Sequence, residues 1–144
     1  MDKFMKAAIG EARKGLSERG IPIGSVLVDK EKIVGRGHNQ RVQKKSPILH
    51  AEIDCLENAG RIRSYQGSVL YSTLMPCYLC AGAVVQFGIK KVIVGESKTF
   101  LGARSFMEAH GVEVIDLDLL ECKKLMSDFI AKNPELWNED IGKL

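Results

Sequence analysis

Phe4, Ala8, Ala12 and Leu16 fall at every fourth position near the start of the chain, and polar residues fill the gaps between them. That stripe predicts an amphipathic helix from Asp2 to about Arg19, with Gly20 placed as a stop. The period then shortens. Ile23 to Asp29 and Lys32 to His38 are β-rich runs on either side of the charged pair Lys30-Glu31, which reads as a hairpin. Asn39 to Pro47 is polar and predicts a loop, and helical spacing resumes from Leu49 to Leu56, stopping near Gly60. Beyond it the pattern alternates: a strand at Ser68–Tyr71, a helix at Cys77–Phe87, a strand at Val92–Val94, a short helix from about Ala103 to Ala109, a strand at Val112–Ile115 and a helix from about Leu119 to Lys132. Strands alternating with helices predict an α/β sandwich built on βαβ units, here opening with an antiparallel hairpin. The final stretch, Asn133 to Gly142, holds the only tryptophan and a cluster of acids. It is too short for a domain, and residues 133–144 are expected to form a flap over a site.

Composition narrows this picture. With 144 residues, 45% of them hydrophobic, the chain suits a single domain over residues 1–144 and one active site. The formal net charge of +3 is spread over separated pairs, Lys44-Lys45, Lys90-Lys91 and Lys123-Lys124. Scattered cations read as solvated faces, so a nucleic-acid partner is not expected. The first residues have no apolar run or cleavage site of the secretory kind, and no stretch is long enough for a membrane span. A cytoplasmic protein without a membrane partner is the expectation. In that compartment four cysteines point to thiol or metal chemistry rather than disulfides.

Chemistry concentrates at two predicted helix openings, His50-Ala51-Glu52 and Pro76-Cys77-Tyr78-Leu79-Cys80. Cysteines three apart on a helix share a side, Pro76 suits a helix start, and the positive end of the helix favours the thiolates that bind metal. One imidazole and two thiolates suit zinc. His50, Cys77 and Cys80 make three ligands, the number found in catalytic sites, where a fourth position stays open; structural sites use four protein ligands. Cys55 and Cys122 lie on predicted helices away from both motifs and read as buried thiols. His38 ends a strand and His110 precedes Gly111 at a helix end. Glu52, two residues from His50, points elsewhere and is suited to moving protons instead of binding the ion. Either half alone has other readings, a redox pair or half a zinc knuckle among them. Together they form the signature of zinc deaminases acting on nucleobases.

The chain resembles the cytidine deaminase-like superfamily, and within it the small fungal-type cytosine deaminases. The likeness runs through Gly20-Ile21-Pro22-Ile23-Gly24, Gly35-Arg36-Gly37-His38-Asn39, His50-Ala51-Glu52, Leu56 to Arg61, Pro76 to Cys80, Val94-Gly95-Glu96 and the tail Trp137 to Gly142. It implies a three-layer α/β/α domain around a five-stranded mixed sheet, a homodimer with one Zn2+ per chain, hydrolysis of cytosine to uracil and ammonia, and a place in pyrimidine salvage. By the same resemblance Asn39 would bond the pyrimidine edge, Asp140 would accept from the exocyclic amine, and Phe100, Trp137 and Ile23 would enclose the ring. Taken without the likeness, Asn39 could stabilise a turn, Phe100 could be core and Asp140 a solvated acid. The chain departs from the family at Ala51, where glycine is usual, at Met75, where serine is usual, and at Asn138, where an aromatic often stands.

The expected reaction has Glu52 take a proton from the attacking water, pass it to N3 of the ring and later protonate the departing amine. Guanine or isocytosine deamination, deamination of adenosine in transfer RNA, and a non-catalytic protein with structural zinc are the competing readings.

Overall fold

Asp2 opens the first helix by accepting the backbone N–H of Phe4 at 2.6 Å, and α1 spans Lys3–Ser17. The helix ends short of the predicted Arg19, which leaves the helical region with φ at 68°. Its apolar stripe buries Phe4, Met5, Ala8, Ile9 and Ala12, whereas Leu16 in the last turn remains exposed. The structure, a computed structural model, describes residues 2–143.

The hairpin forms as read, with β1 at Gly24–Asp29 and β2 at Lys32–His38. Its two-residue turn places Lys30 and Glu31 at φ 52° and 63°, the left-handed pair that matches the twist of a tight hairpin. α2 (Ala51–Ala59) begins two residues later than Leu49, because His50 is extended and stands as its N-cap. β3 (Ser68–Ser72), α3 (Tyr78–Phe87), β4 (Lys91–Val94), α4 (Arg104–Ala109), β5 (Glu113–Asp116) and α5 (Leu120–Lys132) each fall within a residue of expectation. α3 stops at Gly88, whose φ of 80° gives the left-handed C-cap that favours glycine. The tail contains a further helix that the pattern did not announce, α6 (Pro134–Asp140), with proline in its first turn.

The strands form one mixed sheet in the order β2-β1-β3-β4-β5. β1 runs antiparallel to β2 and β3, while β3, β4 and β5 are parallel. Alternation along the strands feeds two cores. Val26, Val28 and Tyr71 face α1 and α5, whereas Leu27, Leu70, Val92, Val94 and Val114 face α2, α3 and α4. The result is the three-layer α/β/α sandwich with a five-stranded mixed sheet. Among the described residues, no helix is long and apolar enough to cross a membrane.

One end of this sheet collects the chemistry. The start of β1 pairs with the end of β2, Gly24 with His38, and Ser25 pairs with Ser72 at the end of β3. Ile23, Asn39 and the segment leading to Cys77 therefore emerge side by side, at the carboxyl ends of the parallel strands, where open α/β sheets hold their ligands. A third cluster, including Ile21, Ile23, Leu74, Phe129 and Trp137, packs the tail across this end.

Candidate active site

His50 and Cys77 are the N-caps of α2 and α3, and neither side chain caps its helix. Both are thus free to turn inward between the helix starts, with Cys80 on the first turn of α3. His50 Nδ1 and Cys77 Sγ stand 3.4 Å apart. One ligand atom from each of His50, Cys77 and Cys80 lies within 4.8 Å of the other two, with no fourth such residue in the group among those described. Tetrahedral zinc with bonds of ~2.0–2.3 Å needs ligand separations of roughly 3.3–3.8 Å; the donor set suits that ion, and the His50–Cys77 separation already falls in the range. Cys55 and Cys122 are buried elsewhere, Cys55 with its sulfur 3.5 Å from the Gly35 carbonyl.

The protonation of the trio suits a cation. Cys77 is drawn down to about 4, chiefly because Cys80 donates to its sulfur and because His50 stands opposite. Cys80, as the donor in that pair and deeply buried, is held well above the usual thiol range. Burial works against a charged His50, yet the neighbouring Cys77 and Asp140 outweigh it and raise the ring. Bringing a divalent cation among these groups would expel the shared proton, which is the usual coupling of metal binding to deprotonation.

Glu52 sits one helical residue inside α2 and is buried. Burial, reinforced by the Cys77 thiolate, pushes its carboxyl up to about 7. A carboxyl poised near neutrality can both accept and return a proton.

The remaining residues named from the sequence meet here as well. Ile23, Asn39, His50, Glu52, Cys77, Phe100, Trp137 and Asp140 line one narrow cavity of about 20 Å³. Asn39 donates from Nδ2 to Asp140 Oδ1 at 3.2 Å and accepts the Arg41 backbone N–H at 3.0 Å. Asp140 Oδ1 also lies 4.0 Å from His50 Nε2. Burial raises Asp140, opposed by His50, Asn39 and Arg41. Phe100 and Trp137 meet edge to face, with ring centroids 5.9 Å apart at 89°.

Some of the wall was not legible beforehand. Leu74, Ala51, Met75 and Ile141 complete the cavity, so the two departures from the family pattern at Ala51 and Met75 both face the ligand space. Asn138 does not line it. Arg41 is a further surprise: its guanidinium lies 3.6 Å from both Glu139 and Asp140 and donates to the Pro47 carbonyl at 3.0 Å. An arginine in a polar loop carries no signal in sequence that a partner waits about a hundred residues away.

A mixed α/β/α sheet with a His-Cys-Cys centre at two helix starts defines the zinc-dependent deaminase class. Residues 1–96 match the family described as the cytidine and deoxycytidylate deaminase zinc-binding region, and the chain belongs to that family. It is 45% identical over 144 residues to a cytosine deaminase of Candida albicans, covering 98% of this chain and 96% of the relative. A tRNA-specific adenosine deaminase of Haemophilus influenzae is 35% identical over 147 residues, covering 93% and 85%. Among solved structures, a tRNA:A34 deaminase superposes with a TM-score of 0.76 at 28% identity, over 85% of this chain and 97% of that one. A guanine deaminase from Nitrosomonas europaea shares the fold, with a TM-score of 0.73 at 18% identity over 89% and 83% of the two chains.

Proposed function

We propose that this chain hydrolyses the exocyclic amine of free cytosine, giving uracil and ammonia. The observation that carries the reading is the cavity beside the metal ligands, walled by Asn39 and Asp140 and covered by Trp137 of α6. At about 20 Å³ the closed cavity holds little more than one water, so a base occupies it only once α6 has moved. The Candida albicans relative, alike over nearly the full length of both chains and named a cytosine deaminase, supports the same substrate.

His50, Cys77 and Cys80 would hold zinc, which would supply a Lewis acid that lowers the pKa of the attacking water to roughly 7. Glu52 takes a proton from the attacking water and delivers it to N3 of the ring as the C4–O bond forms. It then takes the second proton from the new C4 hydroxyl and gives it to the amine, so that ammonia leaves and the C4 carbonyl forms as the C4–N bond breaks. Asn39 offers both a donor and an acceptor to the amide-like edge of the base, and the Asp140 carboxylate accepts from its exocyclic amine. Phe100, Trp137 and Ile23 clasp the ring faces and exclude bulk water.

Residues 133–144, of which Leu144 lies outside the described residues, act as the flap of a single domain. α6 rests on the site through Trp137 and through Asp140, so admission of a base requires this segment to lift. Two copies pair as a homodimer, to which the exposed apolar side chains Tyr78, Leu79 and Leu101 are available; sedimentation of the purified protein tests it. The cytoplasm and pyrimidine salvage are the setting in which such a reaction serves.

Ammonia release from cytosine, cytidine, isocytosine, guanine, adenine and a transfer RNA substrate, at low and high salt, tests the function. Turnover of cytosine that does not change with salt is expected. Preference for guanine or isocytosine, or salt-sensitive turnover of the RNA alone, would replace this reading with one of its competitors.

A further inference from the structure

Asn39 sits one residue beyond the end of β2, in a loop, yet its amide must hold a fixed relation to Glu52 on α2 if both are to engage one base. Helix and strand contribute no shared backbone hydrogen bond at this point. The residues on either side of Asn39 are instead tied to a single oxygen. The His38 backbone N–H donates to Asp54 Oδ2 at 3.1 Å, and Gln40 Nε2 donates to the same oxygen at 3.0 Å. Asp54 is buried on α2, two residues beyond Glu52, and its own N–H donates to the His50 carbonyl at 2.9 Å. One carboxylate oxygen thus joins the substrate-binding loop to the helix that carries the proton carrier and a metal ligand.

The surroundings make this junction stiff. Gly37 allows β2 to press against α2: a Cβ there would lie 2.2 Å from the Cys55 backbone nitrogen and 2.7 Å from the Asp54 carbonyl carbon. The His38 ring is clasped on its other side by α1, with Nδ1 3.1 Å from Glu11 and Nε2 2.8 Å from Glu18. Gln43 reaches back to the Asn39 carbonyl at 3.1 Å. Displacement of residues 38–40 therefore has to break several polar contacts, and the fully buried one, to Asp54, is the one that refers them to the catalytic helix.

Resting on the reading of the site given above, we infer that Asp54 is a positioning residue, setting the placement of Asn39 relative to Glu52 and hence the orientation of the bound base. It touches neither substrate nor metal. Small errors in substrate placement cost on the order of 10²-fold in rate, so Asp54→Ala should lower kcat/KM by roughly 10- to 100-fold while zinc content stays at that of the unmodified protein.

Thermodynamic coupling distinguishes positioning from general support of the fold. Asp54→Ala and Asn39→Ala are made singly and together, on the base that the unmodified protein deaminates in the panel above. A failure of the cytosine reading then changes only the probe. If Asp54 acts through Asn39, Asp54→Ala loses most of its effect in the Asn39→Ala background, changing kcat/KM there by less than about twofold. Affinity for the deaminated product, measured by calorimetry, should show the same non-additivity without any turnover. Asp54→Asn keeps one carbonyl oxygen able to accept from both donors, so it should restore most of the activity, and it serves also if the alanine variant fails to fold. Equal losses from Asp54→Ala in both backgrounds, or an Asp54→Asn variant as impaired as the alanine one, would overturn the inference.

Discussion

Replacing Glu52 with Gln should disable the enzyme and at the same time stabilise the metal-free protein. The side chain is buried and its carboxyl is pushed from 4.5 up to about 7, first by desolvation and then by the Cys77 thiolate. A folded-state pKa above the unfolded one means that the folded protein is favoured while the group is protonated. That advantage is fully present below about 4.5 and is lost as pH rises through 7. Two and a half units at ~1.36 kcal/mol each come to ~3 kcal/mol above neutrality. Gln has the same shape and no charge to desolvate. Urea unfolding of chelator-treated protein should therefore show Glu52→Gln more stable than the parent by ~3 kcal/mol at pH 8 and by less than ~1 kcal/mol at pH 5. Zinc-loaded Glu52→Gln should lose ~10²–10⁴-fold in turnover, the range for general acid–base groups. A stability difference that does not grow with pH would show that the buried carboxylate is not strained by desolvation. Normal turnover would remove Glu52 from the proton path.

Other parts of the structure give further tests. His50→Ala or Cys77→Ala should reduce zinc from one per chain to a small fraction, measured by metal analysis after gel filtration, since two protein ligands hold the ion poorly. Gly37→Ala would drive a Cβ to 2.2 Å from the backbone of α2, and should cost about 3 kcal/mol or more, seen as a fall of roughly 10 °C in Tm. Burial pushes the Cys55 thiol up from 9.0 to about 12. Its contribution is therefore present below pH 9 and lost as pH climbs toward 12, and Cys55→Ala should flatten the alkaline decline of stability between those values.

What could be read ahead of the structure follows from where the information lies. The stripe at Phe4, Ala8 and Ala12 is local, and so is the switch to β runs around Lys30-Glu31; each found its element within a residue or two. The Cys77-Cys80 spacing was legible because the helix itself sets the geometry. His50 and Cys77 as N-caps were nearly so, since extended residues before each helix carry them. α6 was not, although Pro134 offers a helix-start signal: at seven residues its helix depends on burying Trp137, with Leu136 and Ile141 packed alongside, a tertiary contribution that no local pattern encodes. His38 shows the opposite limit. In sequence it merely ends a strand, yet in the fold two glutamates from the α1 region converge on its ring. Asp54 and Arg41 are likewise ordinary polar residues whose meaning comes only from partners brought together by the topology.

The reading as a zinc-dependent cytosine deaminase is tested most directly by titrating zinc into the metal-free protein while ammonia release from cytosine is followed. Turnover should be absent at the start, rise in proportion to added metal and level off at one zinc per chain. Full turnover without zinc, or none on cytosine with the site filled, would contradict the account.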